Sequence, residues 1–104
     1  MNHKTNDIHA KYSPLLVGKI ARLLNGDAAE YDRYARLIDE HMYLLTEREK
    51  RILGLRYGQE SRSTLEKVAR EYGLTRERIR QIETKAIGIL ARGPVFSRRT
   101  RKQR

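Results

Sequence analysis

Gly73-Leu74-Thr75 ends one helix and opens the next within three residues, so the chain must contain two short helices that meet at a corner. Upstream, Leu65, Val68, Ala69 and Tyr72 recur at spacings of three and four, and Ser63-Thr64-Leu65-Glu66 has the spacing of a capping box. Downstream, Thr75 caps a longer helix from Arg76 to about Leu90, which Gly93-Pro94 breaks. Two helices across a glycine turn spell a helix-turn-helix. A further helix precedes them: Thr46-Glu47-Arg48-Glu49 is another capping box, Ile52, Leu53 and Tyr57 form the inward side, and Gly58 closes it. Nearer the N-terminus, Ser13-Pro14 opens a helix carrying Leu16, Val17, Ile20, Leu23 and Leu24, with Asn25-Gly26 as its left-handed stop. Asp27 is placed to cap a second helix reaching about Leu45, with Tyr31, Tyr34, Ala35, Ile38 and Met42 along one face as core or interface rather than a base-stacking platform. The reading is therefore all-α: a polar, flexible arm over 1–12, a helical extension of two short helices over 13–43, a helix-turn-helix domain over 44–92, and a basic C-terminal tail over 93–104, expected to be disordered.

Charge narrows the partner. Of 104 residues, 23 are Lys or Arg and 13 are Asp or Glu, leaving a formal charge of +10. Residues 1–45 hold six of each sign, so the whole excess falls on residues 46–104, which points to a polyanion bound by the second half. The sequence has no cysteine, which excludes thiolate metal sites and a cysteine nucleophile and suits a reducing, cytoplasmic setting. Its apolar runs, such as Leu15-Leu16-Val17, are only a few residues long, so neither a membrane span nor a signal peptide is expected. His3, His9 and His41 lack metal-ligand spacing, Ser13, Ser61, Ser63 and Ser97 fall in caps or loops, and there is no glycine-rich phosphate loop. An enzyme is not expected, nor is a cofactor or a metal.

On a wheel of about 100° per residue with Arg76 at zero, Ile79, Ile82, Ala86, Ile89 and Leu90 fall within roughly 220–320°, a coherent inward stripe. Arg76, Glu77, Arg80, Gln81 and Thr84 fall between zero and about 140°. Arginine pairs with guanine, glutamine with adenine, and glutamate accepts from the cytosine amino group, so this outward face carries the side chains that major-groove readout uses. It lies on the first turns of the second helix of the motif, the part that enters the groove.

Leu45 to Glu49, Leu55-Arg56-Tyr57-Gly58, Thr64 to Ala69 and Tyr72 to Ala86 together closely resemble region 4 of bacterial sigma-70 family factors, over residues 44 to about 92. The resemblance implies a domain that reads the promoter −35 element in double-stranded DNA while docking on the β flap of RNA polymerase. Position by position it implies base contacts from Arg76, Glu77 and Gln81, with Arg80 and Thr84 completing the groove face. It implies phosphate contacts from Arg48, Arg56, Thr75 and Lys85, and one from the backbone amide of Leu65. Side chains outside the recognition face can fix orientation but cannot read sequence, which agrees with that division. Leu53, Tyr57 and Ile87, expected to be left partly exposed by the helix pairs, are the candidates for the flap; Ile87 stands at about 20° on the wheel, outside the inward stripe, and is equally readable as a packed edge residue.

The chain departs from the family too. Its first 43 residues have no strand-opening aromatic cluster, so the −10 melting region is expected to be missing, and a second sigma-like subunit becomes a candidate partner. Gly88 and Ala91 stand where basic residues commonly meet activators. Three non-enzymatic functions follow: a sigma-like factor binding polymerase and −35 DNA together, a free-standing dimeric repressor or activator, and a flap-binding inhibitor.

Overall fold

A computed structural model describes residues 12–58 and 62–102, and of 99–102 only the backbone. Among them the secondary structure is helical: α1 (Pro14–Leu23), α2 (Tyr31–His41), a 3-10 turn (Met42–Leu44), α3 (Glu47–Tyr57), α4 (Leu65–Tyr72), α5 (Arg76–Arg92) and α6 (Pro94–Lys102). No helix of the described residues is long and apolar enough to cross a membrane. The expected arm over 1–11 lies outside the described residues.

The helices begin and end where local chemistry satisfies their free backbone groups. Ser13 Oγ accepts from the Leu16 amide, and Pro14 occupies the first turn of α1, where no amide is needed. Asn25 takes the left-handed conformation (φ 57°), and the Gly26 amide bonds back to the Ala21 carbonyl, as the Asn-Gly stop implied. Asp27 does not cap α2; its carboxylate accepts from the Ala29 amide in the preceding turn, and the helix starts four residues later. α2 also stops short of Leu45, which is extended and leads the chain into the next cap. There the capping box is complete: Glu49 donates its amide to Thr46 Oγ1, and Glu49 Oε1 accepts from the Thr46 amide. For α4 the cap is Thr64, one residue later than the Ser63 box proposed, with its hydroxyl accepting from the Lys67 amide. Gly73 is left-handed at φ 66°, where a side chain would be strained, and Thr75 caps α5 by accepting from the Arg78 amide.

α5 is the axis of the fold because its two halves serve two apolar clusters. Its first half buries Ile79 and Ile82 with Ile52 of α3 and Val68 and Ala69 of α4. Its second half buries Ala86, Ile87, Ile89, Leu90 and Ala91 with Leu16, Val17, Ile20 and Ala21 of α1, Tyr34 and Ile38 of α2, and Leu53 and Tyr57 of α3. Each fully buried isoleucine contributes roughly 1.5–3 kcal/mol by leaving water. Tyr31 is half-buried, with its hydroxyl bonded to the Tyr12 carbonyl, so the two tyrosines of α2 serve packing as expected.

The C-terminal segment corrects the sequence reading. Residues 94–102 form α6 rather than a disordered tail. Pro94 cannot continue α5 but can open a helix, Phe96 packs against the second cluster, and Ser97 is buried with its amide on the Gly93 carbonyl. One aromatic ring and a proline start outweigh the charge of the residues that follow.

Candidate nucleic-acid interface

Over its first turns, burial splits α5 as its wheel predicts; further along, Ile87, Gly88 and Ala91 lie in the outward arc and are buried as well. Ile79, Ile82, Ala86, Ile89 and Leu90 are buried, whereas Arg76, Glu77, Arg80, Gln81 and Thr84 are all exposed on the first turns. Helix α4 crosses this end of α5, and a cleft between them is lined by Leu65, Arg76, Glu77 and Arg80. The polar face is tied together from within. Arg76 pairs with Glu66 of α4 at 3.5 Å, Arg80 grips Glu77 through two contacts of 2.6 and 3.1 Å, and Arg78 donates to Gln81 Oε1 at 3.4 Å. The Thr84 hydroxyl donates to the Arg80 carbonyl. The hydrogen bond from Arg80 holds the Glu77 carboxyl below the usual range, so this face presents a carboxylate at neutral pH. Exposed pairs of this kind are worth about 0–1 kcal/mol each, so they can open at little cost.

The residues matched to phosphate contacts are less uniform. Arg48 is exposed on α3 and Lys85 is half-buried on α5, and neither lines a cleft with the polar face. Thr75 is exposed, but its hydroxyl is occupied as the α5 cap. Leu65, the first residue of α4, lines the cleft with its amide in the free first turn of the helix. Arg56 is committed to the fold: its Nε stands 2.5 Å from buried Glu83, and its Nη1 donates to the Ser63 carbonyl at 3.0 Å. The Tyr57 hydroxyl also donates to Glu83, at 3.0 Å. Burial first, then the Glu83 charge, raises the Tyr57 phenol to about 12. Glu83, to which the sequence reading gave no separate role, thus joins α3 to α5 and fixes how α5 sits. Among the described residues no cluster of side chains is arranged to hold a metal.

The three side chains offered for the flap are not partly exposed. Leu53, Tyr57 and Ile87 are only 5, 8 and 6% accessible. All three belong to the apolar cluster that joins α1, α2, α3 and the second half of α5, so the outward wheel position of Ile87 is buried rather than solvent-facing. A cleft of about 210 Å³, lined by Tyr12, Leu16, Met42, Lys50, Leu53 and Tyr57, remains beside the first two.

A third cleft, of about 440 Å³, adjoins the polar face, sharing Leu65 and Arg80 with the one beside Arg76 and Glu77 and continuing along Arg56, Tyr57, Glu83, Thr84 and Ile87 to Lys19, Arg22 and Leu23 of α1. The sequence reading assigned nothing to Lys19 and Arg22. Their spacing puts them on one side of α1, yet no local signal says which element that side meets.

Residues 42–91 match the family described as sigma-70, region 4. The chain is 44% identical over 79 residues to an RNA polymerase sigma factor SigA from Bacillus sp, covering 74% of this chain and 21% of that protein. It is also 44% identical over 63 residues to the SigA sigma factor of Listeria monocytogenes, covering 59% of this chain and 17% of that protein. The chain thus spans about a fifth of the length of these curated relatives. No solved structure gives a significant match.

Proposed function

Residues 42–91 are a sigma-70 region 4 domain, and on that premise we propose that the protein is a sigma-like transcription factor, binding −35 type promoter DNA through α5 and RNA polymerase through its β flap. The observation that carries this reading is the division of α5. Its first turns present arginine, glutamate and glutamine outward while the same turns bury two isoleucines, so the readout side chains stand on a rigid support. In this reading Arg76, Glu77 and Gln81 contact base edges, Arg80 and Thr84 flank them, and Arg48, Thr75, Lys85 and the Leu65 amide hold phosphates. Arg56 serves chiefly to orient α5 through Glu83. With Leu53, Tyr57 and Ile87 buried, the flap would meet the cleft beside Leu53 and Tyr57 rather than three free side chains. No catalytic step is part of this function.

The test uses the full chain. Incubated with core polymerase, it should carry the core subunits through purification at moderate salt. It should also prefer a duplex with a −35 element over the same duplex scrambled, and Arg76→Ala should cost about 1–3 kcal/mol on the first and less on the second. A tight dimer that binds palindromic half-sites one helical turn apart without polymerase would replace this reading with the repressor. Polymerase binding with no DNA preference would replace it with the flap-binding inhibitor.

A further inference from the structure

We propose that Lys19 and Arg22 of α1 hold backbone phosphates of the DNA, so that the N-terminal helices extend the footprint of the recognition helix instead of serving only as its support. The proposal rests on the reading of α5 as a DNA-binding helix and adds a surface that the helix-turn-helix does not contain.

Arg76, Arg80, Glu83, Thr84 and Ile87 fall within an arc of about 100° on α5, and from Arg76 to Ile87 the axis rises about 16 Å. One face of the helix therefore runs from the base-reading turn to the point where α1 crosses it. There the larger cleft opens, with Lys19, Arg22 and Leu23 forming its far wall. Position is fixed by packing: Ile20 and Ala21, between the two cations, are buried against the second half of α5, and Arg92 of α5 donates to the Leu23 carbonyl at the end of α1. Charge is uneven along the cleft. Arg56 is neutralised by Glu83 and Arg80 by Glu77, whereas Lys19 and Arg22 are exposed and form no ion pair among the described residues. The two cations, unpaired among the described residues, stand beside an apolar lining that includes Leu23 and Leu65. That combination suits a sugar-phosphate strand: the cations take phosphate oxygens and the apolar side chains border the deoxyribose. The major groove is about 12 Å wide, so a helix whose first turns reach its floor carries its later turns out past the flanking backbone.

The experiment compares the full chain with Lys19→Gln/Arg22→Gln and with Arg33→Gln/Arg36→Gln, which removes two exposed charges of α2 that line neither cleft. Each is titrated with the −35 duplex and its scrambled counterpart over a range of salt, with circular dichroism to confirm that the fold is kept. The α1 variant should flatten the slope of log affinity against log salt by about 0.9 per lost contact, hence by up to about 1.8, while the ratio between the two duplexes stays unchanged. The α2 variant should leave the slope nearly as it is. An unchanged slope for the α1 variant, or equal flattening by both, overturns the proposal, because the cations would then touch no phosphate or act only through net charge. The ratio between duplexes and its response to Arg76→Ala test the reading of α5 separately: loss of that ratio with the slope effect intact would sink the −35 reading and leave the phosphate contacts standing.

Discussion

Tyr57 shows how a single polar atom helps to fix the seat of α5. Its hydroxyl and the Arg56 guanidinium converge on one buried carboxylate, Glu83, from the last turn of α3. A buried acid without partners costs several kcal/mol, and here it is held from two sides. Tyr57→Phe should lower stability at neutral pH by about 1.5–3 kcal/mol, the loss of a hydrogen bond to a charged group. The sign of the pH effect follows from the phenol. Its folded value, about 12, lies above the ordinary 10, so its contribution is fully present below pH 10 and fades between 10 and 12 as the unfolded chain ionises first. Urea unfolding of both proteins at about pH 8 and about pH 11 should show the gap narrowing at the higher pH. A gap that stays constant would mean that the hydroxyl bond is not what holds Glu83.

At the scale of elements, the docking of α6 depends on a residue with no side chain. A β-carbon placed on Gly88 would lie 2.6 Å from Cε2 of Phe96 and 2.8 Å from its Cζ, so the ring lies directly on the backbone of α5. Gly88→Ala gains helix propensity, about 1 kcal/mol in an exposed interior, but must push the ring out. The variant should therefore keep α5, lower the melting temperature of the whole chain slightly if at all, and strip the amides of Ser97 and Arg98 of hydrogen-exchange protection. Protection retained at Ser97 and Arg98 would show that Phe96 has a second seat. The cap residues act differently, since Thr46, Thr64 and Thr75 each stabilise a helix start through one backbone amide without touching the core.

For the whole molecule, α5 running through both apolar clusters makes the N-terminal helices part of the same cooperative unit as the helix-turn-helix. Ile20 of α1 and Ile52 of α3 belong to different clusters, and both are fully buried. Ile20→Ala and Ile52→Ala should each cost about 2–5 kcal/mol and shift one shared unfolding transition, detected alike by helix signal and by tyrosine fluorescence. Two separable transitions in either variant would mean that α1 and α2 are an independent attachment. The same continuity explains why Leu53, Tyr57 and Ile87 are buried: all three lie in the apolar cluster that α1 and α2 share with the second half of α5.

The helices of this protein, their start and stop residues and the division of α5 into two faces were legible in its residues, because caps, glycine turns and a period of 3.6 are local properties. Thr46, Gly73 and Thr75 act as read, and the stripe from Ile79 to Leu90 is buried as read. The sequence misplaced the start of α2, shifted one cap by a residue and missed α6, whose order comes from Phe96 meeting Gly88. What only the tertiary structure decided was how helices distant in sequence share a face. The closure over Ile87, the commitment of Arg56 to Glu83 and the placing of Lys19 and Arg22 beside α5 all depend on the way α1 and α3 pack against that helix. An amphipathic pattern says which side of a helix must be buried; it carries no term for which neighbour does the burying, and so none for where the opposite side then points.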